Sequence, residues 1–178
     1  MELSRRDWFA ASMALWPEIA SAQAHAQKAT KFEYLDQQTA GEIEALVETL
    51  LPSDETPGAR EAGVVYFIDR ALTTFHKDQQ EAYRAGLREF QARREALFPE
   101  SHSIAQLTAQ QRIELVQALE NSEFFRLLHF HTLAGFLGDP SYGGNRDGVG
   151  WKLIGFEHSM VNQPPFGYYD GQAKEKAR

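Results

Sequence analysis

The segment SEFFRLLHFHTLAGFLG, residues 122–138, decides the fold class of this chain. Ser122 is a favourable N-cap residue, and Gly138 is a typical stop at the C-terminal end of a helix. Between them, large apolar side chains stand on almost every side of a helix: Phe124, Phe125, Leu127, Leu128, Phe130, Leu133, Phe136 and Leu137. A helix that is apolar nearly all round is normally buried. The segment therefore predicts a helix over residues 123–137 that is central to the core.

Four amphipathic stretches upstream of this segment predict the rest of a helical domain. In the first, Asp36 is a candidate N-cap, and one apolar stripe is formed by Ile43, Leu46, Val47, Leu50 and Leu51. The predicted helices cover residues 34–52, 60–75 and 78–98, and a fourth begins at a capping box between Thr108 and Gln111. We therefore expect a compact all-α domain of about five helices.

Beyond Gly138 the sequence changes to glycine and aromatic residues without helical periodicity. Residues 139–152 contain four glycines, and the aromatic run PPFGYY follows at 164–169. Loops of this length are usually functional or disordered, and the aromatic content argues against disorder. We expect an irregular arm from Asp139 onward that packs through its rings. Aromatic residues of this kind are enriched in protein interfaces, so the arm is a candidate partner contact.

Composition and motifs exclude several classes of function. The net charge is −7, whereas a nucleic-acid partner would need a basic face. The chain has no cysteine, which excludes disulfides, thiolate zinc sites, cysteine-held iron–sulfur clusters and covalent c-type haem. Neither a dinucleotide-binding glycine motif nor a phosphate loop is present. The glycines at 143–148 could cradle an anion beside Arg146, but a tight loop is the stronger interpretation.

The first 26 residues have the order of a twin-arginine export signal. Its motif comprises Ser4, Arg5, Arg6, Trp8 and Phe9. The apolar stretch that follows is too short to span a bilayer, and small-x-small cleavage sites lie at residues 20–26. We therefore divide the chain into a signal segment at 1–26 and a domain at 34–170, and expect a periplasmic protein with no transmembrane span. The twin-arginine route moves folded cargo, which suggests that the chain escorts a cofactor-loaded partner.

Three histidines are candidates for metal or haem chemistry. His129 and His131 stand two residues apart, which points them about 200° apart around a helix, so they cannot share one ion as an i, i+4 pair would. His158 and Asp139 are further candidate ligands of such a site, and a single histidine remains a candidate axial haem ligand. Core or interface histidines with local hydrogen bonds are the commoner case. His76 lies in a polar segment and is expected to be solvated.

Two signatures resemble those of the gluconate 2-dehydrogenase subunit 3 family. The front signature comprises Leu50-Leu51-Pro52 with Asp54, the run PGAREAGV at 57–64, and Phe67-Ile68-Asp69. The back signature is Asp139-Pro140-x-Tyr142-Gly143-Gly144-Asn145, followed by Gly150-Trp151-Lys152-x-Ile154-Gly155-Phe156. The resemblance covers residues 34–169, and the back signature is its more specific half.

The resemblance implies a non-catalytic small subunit without a cofactor of its own. Its partner would be a large FAD-binding subunit of the glucose–methanol–choline type that oxidises an alcohol group of a sugar, sugar acid or polyol. A cytochrome c subunit with haem often completes such complexes at the inner membrane. The small subunit would assist maturation and export of its partner. The candidate interface comprises Asp139, Pro140, Tyr142, Gly143, Gly144, Asn145, Trp151, Lys152 and Phe156. The alternative is an independent periplasmic metal-binding or haem-binding protein or enzyme that uses His129, His131 or His158.

Overall fold

A computed structural model describes residues 31–159, in which six α-helices form. They are α1 (Gln37–Leu50), α2 (Val64–Thr73), α3 (Gln80–Leu97), α4 (Ala109–Ala118), α5 (Glu123–Leu137) and α6 (Val149–Leu153). Short 3-10 turns lie at Lys77–Gln79, Ile104–Gln106, Pro140–Tyr142 and Arg146–Gly148. The prediction of an all-α domain is confirmed. The predicted signal segment at 1–26 and the aromatic run at 164–169 lie outside the described residues.

Three of the predicted helix starts are confirmed by their capping bonds. The carboxylate of Asp36 accepts from the N–H of Thr39 at 2.8 Å. Thr108 and Gln111 form a reciprocal capping box at the start of α4. The hydroxyl of Ser122 accepts from the N–H of Phe125 at 3.1 Å. Each bond satisfies a donor in the first helical turn that has no intrahelical partner.

The predicted start of the second helix at Arg60 was wrong by one turn. Helix α2 begins at Val64 because Gly63 adopts a left-handed conformation with φ of +68°. An α-helix cannot continue through such a residue. Residues 60–63 form a turn instead, and the carboxylate of Glu61 accepts from the N–H of Gly58 at 2.9 Å.

Helix α2 is the most completely buried helix of the described region. Its core side chains are Val64, Val65, Phe67, Ile68, Ala71 and Leu72. It packs mainly against α5, where Gly135 allows the ring of Phe67 to approach the helix backbone. The expectation that α5 is central to the core is correct for one side of that helix only. The other side carries Phe130, Leu133 and Leu137 at the surface.

Asp69 of α2 ties the start of the described chain to the bundle. Its buried carboxylate accepts from the N–H groups of Glu33, Tyr34 and Leu35 at 2.8, 3.0 and 2.8 Å. Three N–H donors satisfy a carboxylate that would be costly to bury without partners. The bonds fix the approach of the chain to α1.

Candidate partner-binding face

One side of α5 exposes an apolar stripe. Phe130 is 57% exposed, Leu133 41% and Leu137 37%. Their spacing of three and four residues places them on the same side of the helix. The opposite side buries Phe124, Leu128 and Phe136 in the core. From Leu127 to Leu137 the helix has no Asp, Glu, Lys or Arg, although the whole chain carries 25 acidic and 18 basic residues.

Rings from two other segments extend this stripe. The centroid of Phe75, just after α2, lies 5.7 Å from that of Tyr142 and 4.9 Å from that of His76. The ring of His76 in turn lies 6.5 Å from that of Phe130. Phe75 and Tyr142 are each about half exposed. We refer to the surface formed by Phe75, His76, Phe130, Leu133, Leu137 and Tyr142 as the aromatic face. Exposed apolar surface depleted of charge is typical of the centre of protein interfaces.

A chain of three polar side chains runs from the core to the aromatic face. The hydroxyl of Tyr83 lies 2.7 Å from Nδ1 of His131, and Nε2 of His131 lies 2.8 Å from Nδ1 of His76. Tyr83 and His131 are fully buried, and His76 is partly buried. Burial, together with the nearby His76, lowers the pKa of His131 from 6.5 to about 4. Burial also raises the pKa of Tyr83 well above its ordinary value. Both groups are therefore neutral near pH 7.

The arm after α5 is tied to that helix by Asn145. The N–H of Asn145 donates to the carbonyl oxygen of Gly135 at 2.7 Å. Its side-chain amide donates to the carbonyl oxygen of Gly138 at 2.8 Å and accepts from the N–H of Gly150 at 2.9 Å. Asn145 is fully buried and left-handed, with φ of +43°. Asn tolerates this conformation better than most residues, which explains its place in the motif.

Two glycines let the arm lie directly on the backbone of α5. A Cβ at Gly144 would overlap the carbonyl oxygen of Gly135, and a Cβ at Gly150 would overlap that of Phe136. Because backbone atoms cannot move aside as flexible side chains do, both positions require glycine. As far as residue 159, the arm contains two 3-10 turns and the short helix α6. The sequence, in contrast, predicted irregular structure throughout the arm.

The two sequence signatures meet at Arg146. Its N–H donates to the carbonyl oxygen of Ala62 at 3.1 Å, and its guanidinium carbon lies 3.8 Å from the centroid of Tyr66. Gly63 has no side chain, which leaves room for the side chain of Arg146. A cation over an aromatic ring is a favourable contact. The contact joins the start of α2 to the arm.

Comparison with known protein families places the chain in one of them. Residues 21–157 match the family described as Gluconate 2-dehydrogenase subunit 3. The chain belongs to the gluconate 2-dehydrogenase subunit 3 family. The matched region is more than half of the chain and includes helices α1 to α6 of the described region and both signatures. The name of the family describes one subunit of a dehydrogenase complex. No curated protein and no solved structure matches the chain.

The structure of this subunit 3 protein divides the predicted interface residues into two groups. Three are buried within the subunit: Gly143, Gly144 and Asn145. The other six are at least partly exposed: Asp139, Pro140, Tyr142, Trp151, Lys152 and Phe156. The indole N–H of Trp151 donates to the carbonyl oxygen of Leu137 at 2.7 Å. Its ring contacts those of Phe156 and His158, with centroids 5.2 and 5.1 Å away. Trp151 and Phe156 therefore continue the aromatic face beyond the end of α5.

The structure does not bring the three candidate histidines together. His129 is exposed and stacks on Phe125, His131 is buried, and His158 stacks on Trp151. Within residues 31–159 no three His, Asp or Glu side chains are arranged to hold a metal ion. Both ring nitrogens of His131 are engaged in hydrogen bonds, so ligation of haem iron by His131 would break one of them.

His76 is the residue that sequence reasoning missed. We expected it to be solvated, but it bonds to His131, which lies 55 residues further along the chain. No local pattern signals such a contact, since the polar neighbours of His76 resemble those of an ordinary loop.

Two surface grooves also occur, of about 530 Å³ beside Gly86 and Phe124 and about 600 Å³ between α1 and α3. In the described part of the chain, no helix is both long and apolar enough to cross a membrane.

Proposed function

We propose that this chain is the non-catalytic accessory subunit of a periplasmic flavin-dependent dehydrogenase. The complex would oxidise a CH–OH group of gluconate, a sugar or a polyol. The redox chemistry would belong to FAD in a large subunit of the glucose–methanol–choline type, and a cytochrome c subunit with haem would carry electrons to the inner membrane. Membership of the subunit 3 family is the observation that carries this proposal.

The surface of α5 supports a binding role. Phe130, Leu133 and Leu137 expose apolar area in a stretch without charged residues, while other parts of the surface carry many charges. A lone soluble protein gains nothing from such exposure, whereas an interface buries it and excludes water. A subunit that binds only the native form of its partner also stabilises that form by mass action, by about 2.7 kcal/mol at one hundred times Kd.

The predicted leader adds an escort role to the proposal. The twin-arginine pathway accepts folded proteins, and a flavoprotein that loads FAD in the cytoplasm must cross the membrane folded. A leader on the small subunit, with Arg5 and Arg6 at its centre, would serve both chains if they cross as one complex. The complex would then lie on the periplasmic side of the inner membrane.

Affinity purification from the native membrane fraction tests the proposal. A tag at the C-terminus of this chain is expected to retain a large flavoprotein, which flavin fluorescence and gluconate- or polyol-dependent dye reduction would reveal in the eluate. The untagged strain is the matched control. Recovery of this chain alone, with no flavin in the eluate from gently solubilised membranes, would contradict the proposal.

A further inference from the structure

We infer that His76 is the polar anchor of the aromatic face, and that its Nε2–H donates to an acceptor oxygen on the large dehydrogenase subunit. This inference rests on the proposed function. It specifies the surface through which the two subunits meet and the residue that fixes their relative position. The partner it requires presents an apolar patch that contains one carbonyl or carboxylate oxygen.

The buried chain of polar groups determines which nitrogen of His76 carries the proton. Tyr83 is 1% exposed, and its hydroxyl contacts Nδ1 of His131, its hydrogen-bond partner in the described structure. A buried hydroxyl needs an acceptor for its proton, so Tyr83 donates to Nδ1. Neutral His131 then carries its proton on Nε2 and donates to Nδ1 of His76. Because Nδ1 of His76 accepts this bond, the ring of His76 carries its own proton on Nε2.

The same geometry leaves the Nε2–H of His76 available for a bond outside the subunit. Nδ1 of His76 faces His131, so Nε2 points away from the buried side chains of Tyr83 and His131. Among residues 31–159, no hydrogen bond to Nε2 of His76 is formed. The ring lies between Phe75 and Phe130 on the aromatic face. The face thus presents one directed N–H donor surrounded by apolar side chains.

A donor in this position selects the chemistry of the surface that covers it. An apolar surface without an acceptor would bury the N–H unsatisfied, which disfavours binding. A surface with a correctly placed oxygen forms a bond that strengthens as water is excluded. The absence of charged side chains from Leu127 to Leu137 favours an apolar protein partner over a small anion or a nucleic acid. The dehydrogenase subunit expected from the family is the partner to which we assign this face.

Two substitutions of His76 distinguish the loss of the bond to the partner from a loss of stability of the subunit. In His76→Asn the amide oxygen can still accept from His131, but nothing reaches the position of Nε2. In His76→Gln the amide nitrogen can reach the position of Nε2, while the bond from His131 is lost. Binding is measured with the purified, FAD-loaded large subunit from the same organism, with each full-length variant immobilised. His129→Asn is the matched control, because His129 is an exposed histidine of α5 and points about 100° round that helix from Phe130.

The expected result is a Kd weakened about ten- to a hundredfold by His76→Asn, with the thermal midpoint nearly unchanged. His76→Gln should bind within a few-fold of the wild type, and so should His129→Asn. Phe130→Ser should also weaken binding, since it removes an apolar ring beside the anchor.

Three outcomes would overturn the inference. The first is wild-type binding that His76→Asn does not weaken; the proposed function would then stand with another anchor or another surface at its interface. The second is a homodimer, measured by light scattering, that Phe130→Ser dissociates, since a second copy would then cover the face. The third is faster proteolytic release of residues 160–178 in Phe130→Ser, which would assign the face to the chain's own C-terminal segment. A wild-type chain that does not bind the flavoprotein at all would contradict the proposed function itself.

Discussion

The main-chain N–H of Asn145 donates to the carbonyl oxygen of Gly135, 2.7 Å away, and so joins the arm to α5. The bond is short because Gly144, the preceding residue, has no side chain to separate the two backbones. The motif Tyr142-Gly143-Gly144-Asn145 therefore holds the arm in place. Its role is intramolecular at the three buried positions, while Tyr142 remains at the surface.

Substitution of Gly144 by Ala is expected to destabilise the subunit by about 2–3 kcal/mol, because the new Cβ would overlap the backbone of α5. Gly41→Ala is the control. A Cβ at Gly41 would meet no atom within 4 Å, and alanine in a helix interior is favoured by roughly 0.5–1 kcal/mol. Chemical denaturation of both variants measures the difference. Equal midpoints for the two would show that the arm does not pack on α5 as described.

Asp69→Ala is expected to release the N-terminal segment from the bundle. It removes the acceptor of three N–H groups and should lower the free energy of unfolding by about 2–4 kcal/mol. Hydrogen exchange should accelerate at Glu33 and Leu35 before it does in the core. Glu114→Ala replaces an exposed residue of α4, serves as the control and should change little. Unaltered exchange at these amides in Asp69→Ala would contradict the assigned role.

The depressed pKa of His131 predicts a loss of stability in mild acid. The folded-state pKa is about 4, and the ordinary value is 6.5, so between these two pH values the unfolded chain binds more protons than the folded chain. Stability should therefore fall as pH drops from about 6.5 and level off near pH 4, with a total loss on the order of 3 kcal/mol. Carboxyl groups also titrate near pH 4, so the effect of His131 must be separated by comparison with a variant that lacks this histidine.

His131→Asn provides that comparison, because asparagine does not titrate. We expect this variant to be less stable at pH 7 but to lose less stability than the wild type between pH 6.5 and 4. Urea denaturation across this range measures both curves. Parallel curves for the wild type and the variant would mean that His131 is not held neutral in the folded protein.

Replacement of Arg5 and Arg6 by lysine is expected to leave the dehydrogenase activity in the cytoplasm. The twin-arginine pathway recognises the arginine pair, and the large subunit would depend on this leader for export. Arg88→Lys with Arg93→Lys changes two exposed arginines of α3 and is the control. Activity and immunoblots of both subunits in the periplasmic and cytoplasmic fractions give the readout. Full periplasmic activity of the leader variant would remove the escort role.

The sequence predicted those features that depend on neighbouring residues. Caps at Asp36, Thr108 and Ser122 are local hydrogen bonds, and the apolar stripes of the helices follow from their period. The resemblance to the subunit 3 family was also visible in the sequence, because its signatures are short and ordered. These features need no knowledge of the tertiary structure.

Features that depend on distant residues were missed or only partly predicted. The start of α2 was placed too early because Gly63 adopts its left-handed conformation beneath Arg146, a residue of the distant arm. The pairing of His76 with His131 is likewise a tertiary contact. Periodicity could not show that one side of α5 stays exposed, because both sides of that helix are apolar in sequence. A small helical bundle can bury only one side of α5 in its core.

We propose that this subunit has no redox centre of its own and acts through a flavoprotein partner. The most direct measurement is the absorption spectrum and gluconate- or polyol-dependent dye reduction of the purified chain, alone and after addition of the FAD-loaded large subunit. We predict no flavin or haem absorbance and no turnover for the chain alone, and a stable, active flavin complex after mixing. A stoichiometric chromophore or turnover in the chain alone would contradict the account.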